Sequence, residues 1–393
     1  MIQIRKFQLA LLLLLIAAIG FIYLSLPSAL DADLRVKDSA GHISKPPPKK
    51  GAKIQQAPTK NLPHFEVDEF GETSESKFGK APDRQSAMKP KVEKVDKAPQ
   101  PEIIKAPANT SSEDVRNDEE WRHYLDSIRG LAPDKLEPKG HKIVLLTASD
   151  GKGHNSEIKD LFRNVNENRE EYCAYHNYTY QFFNITKYQG DGRPAVWGKI
   201  PAIIEAFQAN PEAEWVWWLD TDAILMTPSV DLASLVLSPE AMKSRITSGV
   251  KIRLPSGAKS GYYVPETINP DKIDVVIAQD HHGVNAGSFM IRRSEWTVQF
   301  LNLWQDPKYI NQKFERLEQD ALNAIITNYP KIQQHFAFVD LRSINAFSVG
   351  SDDMGWMTGD LVVHFAGCWV TKECDSRWRD FWKRRQSITP PTA

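Results

Sequence analysis

The sequence predicts an α/β protein with crossover connections between its strands. Apolar strand-like runs alternate with segments of helical spacing from position 141 onward, and all 11 tryptophans lie at or after position 121. Such alternation is typical of a sheet with parallel strands. A net charge of −1 over 393 residues gives no global field toward nucleic acid. We therefore expect one folded domain at residues 116–386, followed by a tail at 387–393.

Each predicted element has its own justification. The run "HKIVLLTASD" is β-rich and apolar and ends in polar residues, which indicates the first parallel strand. The segment from Ser156 to Asn177 has helical spacing after a polar start, and "YTYQFFNI" alternates as a strand does. A helix is predicted at "AVWGKIPAIIEAFQAN" and a strand at "EWVWWLDTD". The spacing of these five elements requires crossovers.

An N-terminal membrane anchor is predicted at Phe7 to Leu26, which are 20 residues without a charge. As a helix this stretch would be about 30 Å long, enough to cross a bilayer core. Arg5 and Lys6 precede it, so residues 1–6 are expected in the cytosol and the remaining chain beyond the membrane. A cleaved signal peptide with "PSALDA" as the cleavage region is the alternative.

Residues 27–115 have the composition of a disordered stem. They contain 11 prolines, scattered lysines and few aromatic residues, and such a segment cannot bury enough surface to offset its chain entropy. Three Asn-x-Ser/Thr sequons, at Asn109, Asn177 and Asn184, are compatible with glycosylation in a lumenal compartment. In that oxidising space Cys368 and Cys374 can pair across a short loop, or remain two separate thiols.

In the stretch "WVWWLDTDAILM", an apolar run is followed by two acidic residues. Side chains at i and i+2 of an extended chain point the same way, and ligands bind beyond the carboxyl ends of sheet strands. Asp220 and Asp222 are thus predicted to converge on one Mg²⁺ or Mn²⁺, with Thr221 facing elsewhere. The alternative is a plain turn after a strand. An EF-hand is excluded because its loop glycine and distal glutamate are missing.

Three later segments carry further candidate groups. In "AQDHHGVNAGSFM" we expect Asp280, His281 and His282 in a loop near an acceptor, and a small-residue loop at Asn285, Gly287 and Ser288 that lets a sugar approach the backbone. Glu318, Gln319 and Asp320 are predicted in the first turn of a helix, by function or by helix-terminus charge preference. His364 and Gly367 end an apolar strand, and a neutral imidazole there can be a third metal ligand.

These residues together carry a resemblance to glycosyltransferase family 34. The matching stretches include "GKGHNSEI", "NREEYCAYHNYTYQF", "VWGKIPAI", "QDHHGVNAGSFMIRRSEW", "EQDAL" and "GDLVVHFAGCWV", in order from about His141 to Trp382. The family includes fungal Golgi α-1,6-mannosyltransferases, fungal α-1,2-galactosyltransferases and plant xyloglucan xylosyltransferases. The resemblance implies a GT-A fold with a mixed, Rossmann-like sheet, a nucleotide-sugar donor, Mn²⁺, and transfer with retention.

The resemblance also implies roles for individual residues. Asp220 and Asp222 match the family's metal-binding acids, and His364 matches a histidine that reaches metal and diphosphate. Gln319 matches the glutamine beside the reacting sugar, with Glu318 or Asp320 assisting. The donor side is assigned to Lys199, Thr221, Asp222, His364 and Gly367. Trp369 stands where plant members have a lysine, which puts phosphate contact from that loop in doubt and suggests the fungal branch.

The resulting functional prediction is a type II Golgi membrane hexosyltransferase acting on a glycan or glycoprotein. The favoured reading is an α-1,6-mannosyltransferase that uses GDP-mannose in outer-chain synthesis, within a hetero-oligomer of Golgi mannosyltransferases. The alternative donor is UDP-galactose for α-1,2 transfer. Two rivals from other classes are a glycoside hydrolase, whose carboxylates would flank the sugar about 5–10 Å apart, and a non-catalytic assembly subunit. No nucleic-acid partner is expected.

Overall fold

A computed structural model describes residues 118–129, 138–189 and 193–388 of the chain. The predicted anchor at 7–26, the stem at 27–115, the sequon at Asn109 and the last five residues of the tail lie outside these ranges. Within the described ranges no helix has the length and apolar character needed to cross a membrane. The predicted domain therefore accounts for almost all of the structure described below.

Helices and short strands alternate along the described chain. The ten α-helices in the described ranges are α1 (Asp118–Asp126), α2 (Leu161–His176), α3 (Lys199–Ala209), α4 (Pro239–Arg245), α5 (Glu295–Trp304), α6 (Pro307–Ile310), α7 (Leu317–Asn328), α8 (Pro330–Gln333), α9 (Leu341–Ile344) and α10 (Cys374–Arg384). The strands are β1 (Ile143–Ser149), β2 (Thr179–Asn184), β3 (Trp215–Leu219), β4 (Ala223–Leu225), β5 (Lys251–Arg253), β6 (Lys259–Tyr263), β7 (Val275–Asp280), β8 (Gly283–Arg292), β9 (Phe336–Val339), β10 (Ala346–Phe347) and β11 (Val362–His364).

The main sheet has six strands in the order β2-β1-β3-β8-β7-β9. β1 pairs in parallel with β2 and β3, and β7 pairs in parallel with β9. β8 is antiparallel to both of its neighbours. The sheet is therefore mixed, with one reversed strand, and the predicted α/β class is confirmed. Carboxyl ends of β1, β3 and β7 meet at one edge, where ligands of open α/β sheets bind.

Strand β3 is buried on both faces, which explains its continuous apolar sequence. Trp215 and Trp217 pack into one hydrophobic cluster, and Val216 and Trp218 pack into another on the opposite face. Alternate side chains of a strand point to opposite faces, so a strand between two apolar layers needs no polar position. The first polar residue, Asp220, follows directly where this burial ends.

A second, three-stranded sheet brings the C-terminal part of the chain to that same edge. Its order is β10-β11-β4, and β11 is antiparallel to β4. His364 pairs with Ala223 in this register, and the amide of Phe365 donates to the carbonyl of Asp222 at 2.8 Å. His364 thereby lies beside the aspartate pair despite its distance in sequence.

Several predicted elements differ from the structure. The helix expected from Ala195 begins at Lys199, because Ala195–Gly198 form a 3₁₀ turn, and Asp280, expected in a loop, ends strand β7. The helix expected from Ser156 begins only at Leu161, because residues 154–157 form a 3₁₀ turn and Asp160 adopts a left-handed φ of 57°. The small-residue loop expected at 285–288 is instead the first half of strand β8. The β7–β8 register shifts between Ile277 and Ala278, so residues 286–288 of β8 have no partner in β7.

Candidate active site

A cavity of about 740 Å³ opens at the carboxyl ends of β1, β3 and β7. It collects most of the site residues predicted from the sequence: Lys199, Asp220, Asp222, Asp280, His281, His282, Asn285, Glu318, Gln319, His364 and Gly367. Thr221, Gly287, Ser288 and Asp320 do not line it. A shallower depression of about 580 Å³ on α2 contains none of the predicted residues. The cavity is therefore the candidate active site.

The two aspartates converge through a turn and not through an extended chain. β3 ends at Leu219 and β4 begins at Ala223, so residues 220–222 form the connection between two sheets. The Asp220 amide still donates to the Gly287 carbonyl at 2.8 Å, and its carboxylate accepts from the Trp218 indole at 2.7 Å. The two carboxylates converge as the i, i+2 spacing predicts, but residues 220–222 do not have the extended backbone that was expected.

Asp220, Asp222 and His364 form a cluster suited to a divalent cation. Each offers one ligand atom, and these atoms all lie within 4.8 Å of one another. Two carboxylate oxygens and one imidazole nitrogen form a donor set suited to Mn²⁺. The His364 Nδ1 is buried and has no hydrogen-bond partner in the described chain. The residues present therefore fit the metal that the sequence analysis predicts.

The charge state of this cluster follows from burial and one close contact. His364 Nε2 lies 3.4 Å from Asp222 Oδ1. Burial alone would raise the pKa of Asp222, but His364 outweighs it and leaves that pKa below its usual value. Burial lowers the pKa of His364, and Asp222 reverses this and raises it. Asp222 is thus kept ionised, as a metal ligand must be.

Gly287 supports His364 and does not contact the cavity itself. A Cβ built on Gly287 would lie 2.3 Å from His364 Cε1 and 2.9 Å from Nδ1. No other residue type leaves room for the imidazole ring, which is itself buried. Gly287 was predicted on the acceptor side, and the structure places it under the metal cluster.

Lys199 is a buried cation at the start of α3, between two carboxylates. Its ammonium lies 3.3 Å from Asp220 Oδ1 and 3.0 Å from Glu318 Oε1, and it donates to the Ala286 carbonyl at 2.9 Å. Burial lowers the pKa of Lys199, but the two carboxylates outweigh it and raise that pKa above its usual value. Burial raises the pKa of Glu318 despite the neighbouring ammonium. Lys199 therefore stays positive at the floor of the cavity.

The three predicted catalytic residues lie in the first turn of α7, where two of them line the cavity and the third does not. Gln319 lines the cavity, and its Oε1 accepts from the Ala286 amide at 2.8 Å. Asp320 faces away and accepts from the Arg316 amide at 3.0 Å and from Arg316 Nε at 3.2 Å. Glu318 and Gln319 are thus placed for chemistry in the cavity, whereas Asp320 caps the helix start.

A buried polar network holds the predicted acceptor side. The Asn285 amide nitrogen donates to Asp280 Oδ2 at 2.9 Å, and Asn345 donates to Asn285 Oδ1 at 2.8 Å. The His282 amide donates to Asp280 Oδ1 at 2.6 Å. Ser288 lies in the core instead, where its hydroxyl accepts from the Trp217 indole at 3.0 Å. Asp280, His282 and Asn285 therefore form one wall, which Ser288 does not join.

The loop after His364 forms the rim of the cavity. Gly367 has a φ of 76°, which favours glycine, and a disulfide joins Cys368 to Cys374 at the start of α10. Trp369 is 38% exposed and lines the cavity with Val370.

The sequons at Asn177 and Asn184 lie on exposed positions at the end of α2 and of β2.

Several cavity residues were given no role by the sequence reasoning. Asp150, Lys152 and Asn155 follow β1, Arg316 precedes α7 and Phe347 belongs to β10. The signal for these three was present, since Asp150 ends the predicted strand run "HKIVLLTASD" and "GKGHNSEI" follows it. Arg316 directly precedes the predicted helix, which begins at Leu317 as expected, but it was given no role of its own. Phe347 had no local signal, because it stands in a two-residue strand.

Comparison with known proteins identifies the family of the chain. The model of the galactosyl transferase GMA12/MNN10 family matches residues 139–375. The probable alpha-1,2-galactosyltransferase gmh2 of Schizosaccharomyces pombe is 37% identical over 250 residues, which is 62% of this chain and 71% of the relative. The probable alpha-1,6-mannosyltransferase MNN10 of Saccharomyces cerevisiae is 31% identical over 251 residues, 59% of this chain and 63% of the relative. The chain therefore belongs to the galactosyl transferase GMA12/MNN10 family of glycosyltransferases.

Proposed function

We propose that the protein is a metal-dependent hexosyltransferase that moves a sugar from a nucleotide-sugar donor to a glycan acceptor with retention. One observation carries the proposal. Asp220, Asp222 and His364 meet within 4.8 Å in a cavity that also holds Lys199 and Gln319. Two acids aimed at one point fit a cation and a diphosphate better than they fit the two flanking carboxylates of a glycoside hydrolase.

The metal cluster and Lys199 would together stabilise the negative charge of the leaving group. When bound, Mn²⁺ held by Asp220, Asp222 and His364 supplies positive charge to the departing diphosphate. Lys199 lies 3.3 Å from Asp220 and adds a fixed ammonium, which the buried carboxylate of Glu318 orients. Charge that is fixed in place before the reaction needs no reorganisation when the diphosphate develops its own.

Gln319 and Glu318 would face the reacting sugar. The Gln319 Oε1 is held by the Ala286 amide, and a carbonyl oxygen has a second lone pair for an electron-poor carbon. The bond from the anomeric carbon to the phosphate oxygen breaks, and the acceptor hydroxyl oxygen forms its new bond on the same face. The hydroxyl proton passes to the departing phosphate oxygen, so a separate base is not required.

Two donors remain in the proposal. GDP-mannose is favoured by the family resemblance, and the relative named probable alpha-1,6-mannosyltransferase MNN10 is 31% identical. UDP-galactose is favoured by the relative named probable alpha-1,2-galactosyltransferase gmh2, which is 37% identical. A panel of purified full-length chain, Mn²⁺, a mannose oligosaccharide and each donor decides between them. Transfer from UDP-galactose but not GDP-mannose would overturn the mannosyl assignment.

The metal assignment has its own experiment. Asp220→Ala combined with Asp222→Ala in the full-length chain is expected to reduce transfer by about 10³-fold or more, because charge neutralisation at the diphosphate is lost. Asp271→Ala, an exposed acid on the same domain, is the matched control. Unchanged transfer by the double variant in Mn²⁺ would refute the assignment. A wild-type chain inert with every donor, yet needed for a partner's activity, would favour the assembly-subunit alternative.

The proposed setting is the Golgi membrane with the catalytic domain in the lumen. This part rests on the predicted anchor at 7–26 and on the family resemblance, and the disulfide and the exposed sequons at Asn177 and Asn184 are compatible with it. Assembly with other Golgi mannosyltransferases is proposed on the resemblance alone. Endoglycosidase treatment of the expressed protein tests the lumenal placement, since an unglycosylated, cytosol-facing domain would contradict it.

A further inference from the structure

Arg169 is a buried cation for which the proposed reaction has no use. It lies in the middle of α2 and its side chain is fully buried. Among the described residues no carboxylate comes within ion-pair distance of it, unlike Lys199. Isolated buried charges are strongly unfavourable. An arginine kept in such a place needs a specific set of acceptors.

Those acceptors are the two ends of the aspartate turn. The Arg169 Nη2 donates to the carbonyl of Asp220 at 3.1 Å and to the carbonyl of Ala223 at 2.9 Å. One nitrogen thus spans the turn that carries both acids. Nη1 donates to Asn168 Oδ1 at 2.9 Å, which fixes the plane of the guanidinium. Arg169 itself is not among the residues that line the cavity.

The neighbouring Asn168 extends this contact to strand β4. Its Oδ1 accepts from the Leu225 amide at 2.8 Å, and its Nδ2 donates to the Leu225 carbonyl at 3.0 Å. A further residue of α2 binds the chain beyond β4, since the Tyr172 hydroxyl donates to the Val230 carbonyl at 2.9 Å. The motif "NREEYCAYHNY" is therefore a row of side chains that binds the segment after β3.

We propose that Arg169 is the positioning residue of the metal cluster. It fixes the distance between the Asp220 and Ala223 carbonyls, and through them the angle at which the Asp220 and Asp222 carboxylates approach one cation. The inference rests on the proposed metal-dependent transfer and adds a residue that touches neither metal nor sugar. The fork of a guanidinium suits this task because its donors have fixed directions, whereas an ammonium is a single point charge.

The test measures Mn²⁺ affinity directly, by electron paramagnetic resonance of the free ion, with Mn²⁺ alone and with Mn²⁺ plus UDP or GDP. Full-length wild type, Arg169→Met, Arg169→Lys and Tyr172→Phe are compared at a temperature where near-UV circular dichroism shows each to be folded. Positioning predicts a loss of about 10–100-fold in affinity for Arg169→Met and a clear loss for Arg169→Lys, because outer groups that orient ligands have effects of this size. Tyr172→Phe should bind Mn²⁺ as wild type does.

The outcomes separate three explanations. A purely electrostatic role predicts tighter Mn²⁺ binding for Arg169→Met and no change for Arg169→Lys, and either result would overturn the proposal. Equal affinity in all folded variants, with only a lower melting temperature, would make Arg169 a fold residue. Failure of both Arg169 variants to fold while Tyr172→Phe folds would have the same meaning. If wild type itself binds no Mn²⁺, the proposed function fails first.

Discussion

The segment that follows β3 is held from two sides by different chemistry. On the cavity side its contacts are ionic, since Lys199 approaches Asp220 and His364 approaches Asp222. The other side, called the rear side below, consists of the side chains of α2, and these bind neutral backbone carbonyls of the segment. Arg169 donates to the carbonyls of Asp220 and Ala223, and Tyr172 donates to that of Val230. The cavity side can thus change its charge with ligand and metal, whereas the rear side keeps the backbone in one place.

The largest expected effect tests the ionic side. Lys199→Met should lower transfer by about 10²–10³-fold, because a fixed cation near the diphosphate is lost. It should also lower the free energy of unfolding by about 3–5 kcal/mol, because Glu318 is left buried and unpaired. Product formation and urea denaturation measure the two effects on the same preparation.

A double variant separates those two consequences. Lys199→Met with Glu318→Gln removes the unpaired charge, so stability should recover substantially. Because Glu318 is itself assigned to the reacting sugar, transfer is compared with that of Glu318→Gln alone and should stay well below it. Equal transfer by the double variant and by Glu318→Gln would mean that Lys199 acts only through folding. The cavity side would then serve folding as the rear side does, and the proposed difference between the two sides would be wrong.

The next largest effect is expected at Gly287, where the absence of a side chain leaves space for the His364 ring. Gly287→Ala would place a Cβ 2.3 Å from His364 Cε1, so the buried ring must move. We expect Mn²⁺ affinity to fall about 10-fold or more, since a displaced ligand no longer meets the two aspartates. Gly261→Ala is the matched control, because a Cβ there meets nothing within 4 Å. Titration of Mn²⁺ against both variants gives the comparison, and equal affinities would show that the ring position is not limiting.

The cavity side was largely predictable from the sequence, and the reasons are local. An apolar run that ends in two acids marks a buried strand and its carboxyl end, and Lys199, Gln319 and His364 stand in family stretches around it. Even here the backbone was misjudged, because the turn at 220–222 depends on a second sheet whose partner strand, β11, lies far along the chain. Pairing across such a distance has no local signature.

The rear side was not predicted, for the same physical reason. Arg169 stands among "NENREEY", where it has the appearance of one more charge on a solvated helix. Its burial depends on a carbonyl 51 residues away, at Asp220. Ser288 shows the reverse error, since a small polar residue between glycine and phenylalanine suggested a loop. In the structure its hydroxyl satisfies the indole of the buried Trp217.

The smallest effect tests the rear side through pH. Asp231 accepts from the Ser234 hydroxyl at 2.6 Å, from the Tyr178 hydroxyl and from the Ser234 amide at 2.8 Å. Burial raises the pKa of Asp231, but these hydrogen bonds outweigh it and leave that pKa below its ordinary value. A lowered folded pKa gives stability that is complete above the ordinary aspartate pKa of about 3.9 and is lost as the pH falls through the lower folded value. Asp231→Asn should therefore lower the free energy of unfolding by about 1–2 kcal/mol at pH 7.

The pH dependence is what distinguishes this contact from an ordinary surface charge. Between pH 7 and pH 3 the difference in unfolding free energy between wild type and Asp231→Asn should shrink, because protonation removes the same bonds that the variant lacks. Asp160→Asn removes an exposed acid that pairs with Arg163 on the same helix, and should change stability by less than about 1 kcal/mol. Urea unfolding at several pH values measures both variants. A constant Asp231→Asn difference down to pH 3 would mean that the rear side gains nothing from this charge, and that only its neutral carbonyl contacts hold the segment.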